Sequence, residues 1–193
     1  MSDSINLTDV LTLIIHDIIK STDEFKSFDI NKILVCCASN RKDSKGITYG
    51  KLQPLRFKDG SEIVQHNKSY YTIPKIVLNN IEILYILYLY IPKFFELPIN
   101  DKINVMFHEL YHISPKFNGD IRRMGNIKSA HGHSKKSFEE KYIKYASKYF
   151  SKINETPFYS FLQMSFEYIE TQFKVIKYRR MKSIKPQLLN QKL

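Results

Sequence analysis

The stretch that most constrains this chain is residues 105–113, Val-Met-Phe-His-Glu-Leu-Tyr-His-Ile, which carries the pattern His-Glu-x-x-His at positions 108–112. In an α-helix residues four apart lie one above the other, so His108 and His112 direct their imidazoles at one point while Glu109 sits about 100° around the axis. That arrangement is a two-pronged metal clamp with a carboxylate beside it. Zinc prefers neutral imidazole nitrogen in a tetrahedral shell, and a catalytic zinc keeps one position for a water whose pKa it lowers to about 7. Glu109 is then the candidate general base for that water's proton. With six histidines in 193 residues, chance supplies about 0.01 copies of such a pentapeptide. Two plainer readings stay open: an accidental pair of exposed histidines, and a structural zinc.

The flanks suit a helix at the edge of a cleft. At 100° per residue, Ile103, Met106, Leu110 and Ile113 share one sector with Phe107 at its margin, and His108 and His112 lie opposite with Asp101 and Val105. Asn100 and Asp101 suit the cap and first turn, Pro98 precedes them, and Ser114-Pro115 ends the pattern.

Upstream, residues 6–20 set Leu7, Val10, Leu11, Ile14, Ile15, Ile18 and Ile19 on one helical stripe, with His16 on the polar side as a solvated histidine. Residues 32–39 read as a strand. Its adjacent Cys36 and Cys37 point to opposite faces, which makes them small core residues rather than a disulfide or a multi-cysteine zinc site. Such usage suits a reducing, intracellular compartment. Residues 39–46 read as a basic loop, and 47–57 as a strand in which Pro54 implies an edge, a bulge or an end. A turn at 58–61 leads to broken strands at 62–65 and 69–73. Residues 83–91 form a strand whose Tyr85, Tyr88 and Tyr90 are amphipathic strand surface or the lining of a cleft. A helix, then several strands, then the His-Glu helix predicts an α+β fold with a small twisted sheet packed on helices.

The length suits one domain, with residues 1–153 carrying the catalytic unit and 154–193 extending it as a helix over 157–173 and a basic tail. The longest apolar run, 81–91, is too short to span a bilayer, and residues 1–6 lack a positively charged leader. A soluble, cytoplasmic protein without a membrane partner is expected. The net charge of +11 favours polyanionic partners. The tail from 171 to 193, with Lys177, Arg179, Arg180 and Lys182 and no acid, is either a nucleic-acid contact or a solvated end. A third metal ligand downstream of His112 has two histidine candidates, His131 and His133, just before a helix over 134–150 with Phe138, Tyr142, Tyr145, Ala146 and Tyr149 in its apolar positions.

The run His-Glu-Leu-Tyr-His-Ile-Ser-Pro at 108–115, then Phe117, Gly119 and Ile121-Arg122, then His131-Gly132 ahead of a Phe-containing helix, resembles the phage-type metallopeptidases. More distantly it is similar to SprT-like and other minimal zincin, gluzincin-like, proteases. The resemblance spans roughly residues 30–150 and is specific over 103–138. It implies a zincin-like fold, a mostly antiparallel sheet packed against the His-Glu helix and flanking helices. It also implies zinc-dependent hydrolysis of protein or peptide substrates, with Glu109 as general base, His108 and His112 as ligands, His131 as first choice for the third and His133 as second. Two features depart from the wider group: no cysteine follows position 37 to build a zinc ribbon, and Asn118 stands where a metzincin has its third histidine. Arg122 and Arg123 are candidates for a structural or substrate role, or for solvated loop charge. The competing function is a nucleic-acid-associated accessory protein with a structural or vestigial metal, or a SprT-like protease recruited to DNA by the basic tail.

Overall fold

The computed structural model describes residues 2–39, 46–124, 131 and 134–189. His133 and most of the expected basic loop lie outside the described residues. Strand β1, Ser2–Asn6, runs into helix α1, Leu7–Ser21, at a cap in which the Asn6 side chain accepts from the Thr8 N–H. The predicted stripe of α1 is buried throughout except at the half-buried Val10.

The central sheet is built from β2 (Ile33–Ser39), β3 (Gly50–Pro54) and, further on, β8 (Tyr85–Ile91). Between them, β4 (Ile63–His66) pairs with β5 (Ser69–Thr72), and β6 (Ile76–Leu78) with β7 (Ile81–Ile83). These hairpins turn on Asn67-Lys68 and Asn79-Asn80, all four at positive φ, as a two-residue type I′ connection requires. In the central sheet β8 lies in the middle, parallel to β2 and antiparallel to β3. Both its faces are covered, which is why its sequence is an unbroken apolar and aromatic run. Tyr85, Leu87 and Leu89 join Val35 and Cys37 in the core shared with the helices; Ile86 and Tyr88 join Leu34 and Cys36 on the opposite face. Burial pushes the Cys36 and Cys37 thiols up to about 11 and about 12, so both stay protonated as apolar core groups.

Helix α2, Ile99–Tyr111, lays Ile103, Met106, Phe107 and Leu110 into the helix-side core, each fully buried. Helix α3, Lys135–Phe150, packs beside it and is capped by the Ser134 hydroxyl, which accepts from the Ser137 N–H at 3.0 Å. The chain continues through α4 (Tyr159–Gln163), α5 (Phe166–Gln172), β9 (Phe173–Lys177) and β10 (Gln187–Leu188).

Several sequence expectations need correction. The strand expected over 47–57 is confined to Gly50–Pro54; Pro54 takes an outward position on the sheet edge, where its missing N–H costs the ladder nothing, and the Leu55 N–H still donates to the Leu84 carbonyl. The strand expected over 83–91 divides at Leu84, whose N–H turns to the Lys32 carbonyl. The α+β class holds and most strand pairings are antiparallel, but the described strands fall into separate small sheets, and β2 with β8 and β1 with β9 pair in parallel. Helix α2 begins one residue after Pro98, which is its N-cap without a side-chain bond, so Asn100 falls inside the helix. The helix expected over 157–173 is two helices, because the Ser165 side chain starts a new one by accepting from the Tyr168 N–H.

Through Leu189 the C-terminal stretch is not a solvated tail. After β9 pairs with β1, Arg179 donates to the Val35 carbonyl at 2.9 Å, Met181 and Ile184 pack on the outer face of the central sheet, and β10 pairs with β5. The Gln53 side chain of β3 bonds both the N–H and the C=O of Ile184. This stretch therefore straps the sheet from the β2 edge to the β3 edge.

Lys102 pins α2 to the C-terminal helices. It is 1% exposed, and its Nζ donates to the Leu162 and Met164 carbonyls at 2.8 Å each. Burial lowers its pKa to about 8, so the unfolded chain binds the extra proton between that value and the ordinary one. Stability from this group therefore rises with pH across that window. Lys102→Met is expected to cost about 2–4 kcal/mol in chemical denaturation by orphaning two carbonyls. The wild-type advantage should widen from pH 8 to pH 10.

Candidate metal centre

His108 lies in the last turn of α2 and His112 is its C-cap residue. The backbone holds this helix end in place from outside: the Arg122 N–H donates to the His112 carbonyl at 2.6 Å, and Ile113 bridges to Ile121. The Arg122 guanidinium stacks on Tyr111 at 4.0 Å, donates to the Tyr111 carbonyl and pairs with Glu24. Arg123 pairs with the buried Asp120 at 2.9 Å. Neither arginine is among the residues lining the cleft described below.

His131 approaches from the segment that leads into α3. Its Nε2 stands 3.1 Å from His108 Nε2, which is itself 3.1 Å from His112 Nε2. One ligand atom from each of His108, His112 and His131 falls within 4.8 Å of the others. A tetrahedral zinc with bonds of about 2.0–2.1 Å places neighbouring nitrogens roughly 3.3 Å apart, so the three imidazoles fit such an ion. Ring nitrogens 3.1 Å apart are held together by a shared proton or by a common cation between them.

Two residues of α3 organise the cluster. Phe138, fully buried, stacks on His112 with ring centroids 4.5 Å apart and meets His108 and His131 edge-on at 5.2 Å. The Tyr142 hydroxyl lies 3.2 Å from His108 Nδ1. With the proton on Nδ1 donated to Tyr142, the His108 Nε2 lone pair is the one turned to the other two imidazoles. Burial, followed by the charges of His108, His131 and Arg122, lowers the His112 pKa to about 3, so His112 is neutral and competent as a ligand.

The Glu109 carboxylate reaches the edge of β3. Strand β3 uses residues 49, 51, 53 and 55 for its pairing with β8, which turns the backbone groups of Gly50 and Leu52 outward at its free edge. The Leu52 N–H donates to Glu109 Oε2 at 2.7 Å. Burial pushes the Glu109 carboxyl up to about 7, against the pull of the Leu52 N–H and the Lys51 charge. The three histidines and Glu109 line one cleft of about 900 Å³, with Lys51, Val105 and Tyr142 among its other walls.

Of the two readings of the strand tyrosines, neither surface nor cleft lining fits Tyr85 and Tyr88, which are buried on the two faces of the central sheet, the Tyr85 hydroxyl bonding Gly119 and Asp120. Conversely, Phe138 and Tyr142 read in sequence as core positions of α3, and only their i, i+4 spacing just past His131 hinted at a shared face. The edge amide of Leu52 carries no sequence signal, because every non-proline residue has one.

A helix bearing His-Glu-x-x-His, joined by a third imidazole from the next segment in an α+β chain, defines a metal-site protein of the His-Glu-helix class. The chain belongs to the phage metallopeptidase family: the family model described as "Putative phage metallopeptidase" matches residues 6–156. Searches of curated proteins and of solved structures each found no match. Among the described residues no helix is long and apolar enough to cross a membrane.

Replacing Tyr142 by Phe keeps the ring against Phe138 and removes only the hydroxyl. It is expected to weaken binding of zinc, added as a probe, about 10–100-fold in competition with a chromophoric chelator, the usual cost of losing an outer partner of a metal-binding histidine.

Proposed function

We propose that this protein is a zinc-dependent peptidase of the zincin-like type, with His108, His112 and His131 as metal ligands and Glu109 as general base. The observation that carries the reading is the convergence of three imidazoles beside a buried carboxylate on one cleft, in a chain of a metallopeptidase family. Zinc held there supplies Lewis acidity toward a peptide carbonyl and acidifies a water.

The chain's own residues do the rest. Glu109 takes the proton of the attacking water; a carboxyl held near neutrality by burial is matched to that work at neutral pH. Its Oε2 is held by the Leu52 N–H, which leaves Oε1 to receive the proton and pass it to the departing amine. Tyr142 keeps His108 turned inward, and Phe138 keeps water from the far side of the imidazoles. A cleft of about 900 Å³ accommodates a short extended segment of a peptide substrate.

Glu109→Gln is expected to retain zinc and to lose about 10²–10⁴-fold in turnover on a casein-derived peptide. Undiminished cleavage by that variant rules out the base role. His131→Ala should lose zinc and His133→Ala should keep it, as measured by metal content after dialysis; the reverse result moves the third ligand to His133.

The exposed Lys177, Arg180, Lys182 and Lys185 on the strap support a second, compatible reading, contact with nucleic acid. Truncation would strip the outer face of the sheet, so charge reversal is the proper test. Reversing these four is expected to abolish salt-dependent binding to duplex DNA while zinc content is unchanged, and wild-type protein that fails to bind DNA at low salt sinks this reading.

A further inference from the structure

Strand β3 comes closest to α2 at Gly50, and the approach leaves no room for a side chain. The backbone of Gly50 is not in the left-handed region, so conformational freedom is not what glycine supplies here. A Cβ at this position would lie 2.9 Å from Glu109 Cγ, 2.9 Å from Val105 Cγ1 and 3.1 Å from Glu109 Oε1. Contacts that short force either the Glu109 side chain or the whole of α2 to move. Two residues along the same free edge, the Leu52 N–H holds Glu109 Oε2 at 2.7 Å. That hydrogen bond survives only at the present spacing of helix and strand.

We propose that Gly50 is a positioning residue for Glu109: by lacking a side chain it lets the carboxylate lie against the edge of β3, within reach of the Leu52 amide. Gly50 touches neither metal nor substrate in this role and acts through Glu109. The inference builds on Glu109 as general base, but its geometric content, the spacing and the amide contact, is independent of any activity.

The test compares wild type with Gly50→Ala, and both again in a Glu109→Ala background. Amide hydrogen exchange is followed at residues 51, 52 and 53 by NMR on the zinc-loaded protein. Lys51 and Gln53 pair with β8 and serve as internal controls for an intact strand. Gly50→Ala is expected to speed exchange at Leu52 at least about tenfold, with Lys51 and Gln53 changed less than about threefold. It should lower Tm by roughly 4–8 °C in the wild-type background and by less than half of that when Glu109 is already Ala. On a peptide substrate, kcat should fall at least about tenfold with KM within about threefold and zinc content unchanged.

Leu52 protection that survives Gly50→Ala overturns the proposal, as does an equal Tm loss in both backgrounds, because the clash would then be with Val105 and the helix alone. Loss of protection at all three amides together also overturns it, since Gly50 would then support the strand rather than Glu109. If the wild-type protein cleaves no peptide, the general-base reading fails while the exchange and Tm comparisons still decide the spacing.

Discussion

Met106, Phe107 and Leu110 are fully buried on one side of α2, and His108, Glu109 and His112 border the cleft on the other. The helix therefore straddles a boundary between hydrocarbon and a polar cluster that is itself largely out of water. Burial raises the Glu109 carboxyl toward neutrality, so holding it ionised in such a place is unfavourable, and leaving imidazoles unsolvated adds to that. Each buried residue of the helix back contributes roughly 1.5–3 kcal/mol. Together they outweigh the polar face, and for that reason a helix with such a front can stay docked. The interlocked rings of Phe25, Phe107 and Tyr149 extend the same anchor to the turn that follows α1 and to α3.

The rest of the molecule works as a mount for that helix. Arg122 closes its C-terminal end, Lys102 ties its first turns to α4 and the residues after it, and Phe138 and Tyr142 present α3 as a wall behind the imidazoles. On the other side the central sheet offers the free edge of β3. The strap over the outer face, through Gln53 and Ile184, holds that edge strand from behind. So a segment beyond the family match, residues 157–189, bears on the strand that meets Glu109.

Much of this was legible in one dimension. The stripe of α1, the packed back of α2 and the split allegiance of Cys36 and Cys37 follow from periods of 3.6 and 2 alone, and the structure has them as expected. The chain end was not legible. Its basic composition reads as a solvated tail, but hydrogen bonds from Arg179 and Gln53 and burial of Met181 and Ile184 draw it onto the sheet. Those interactions join residues more than a hundred positions apart, and no local pattern encodes such pairings. The break at Leu84 and the restart at Ser165 were missed because each depends on one hydrogen bond competing with a continuing ladder or helix.

The pairing of His108 and His112, with Glu109 next to them, is a property of the sequence by itself, because helical spacing puts i and i+4 on one face in any protein that keeps the helix. That His131 joins them at 3.1 Å, that Tyr142 lies behind His108 and that Glu109 rests on the Leu52 amide were decided only by the tertiary structure. Each is a distance between separate elements, set by how α2, α3 and β3 pack. At Gly50 the packing leaves less space than one methyl group needs.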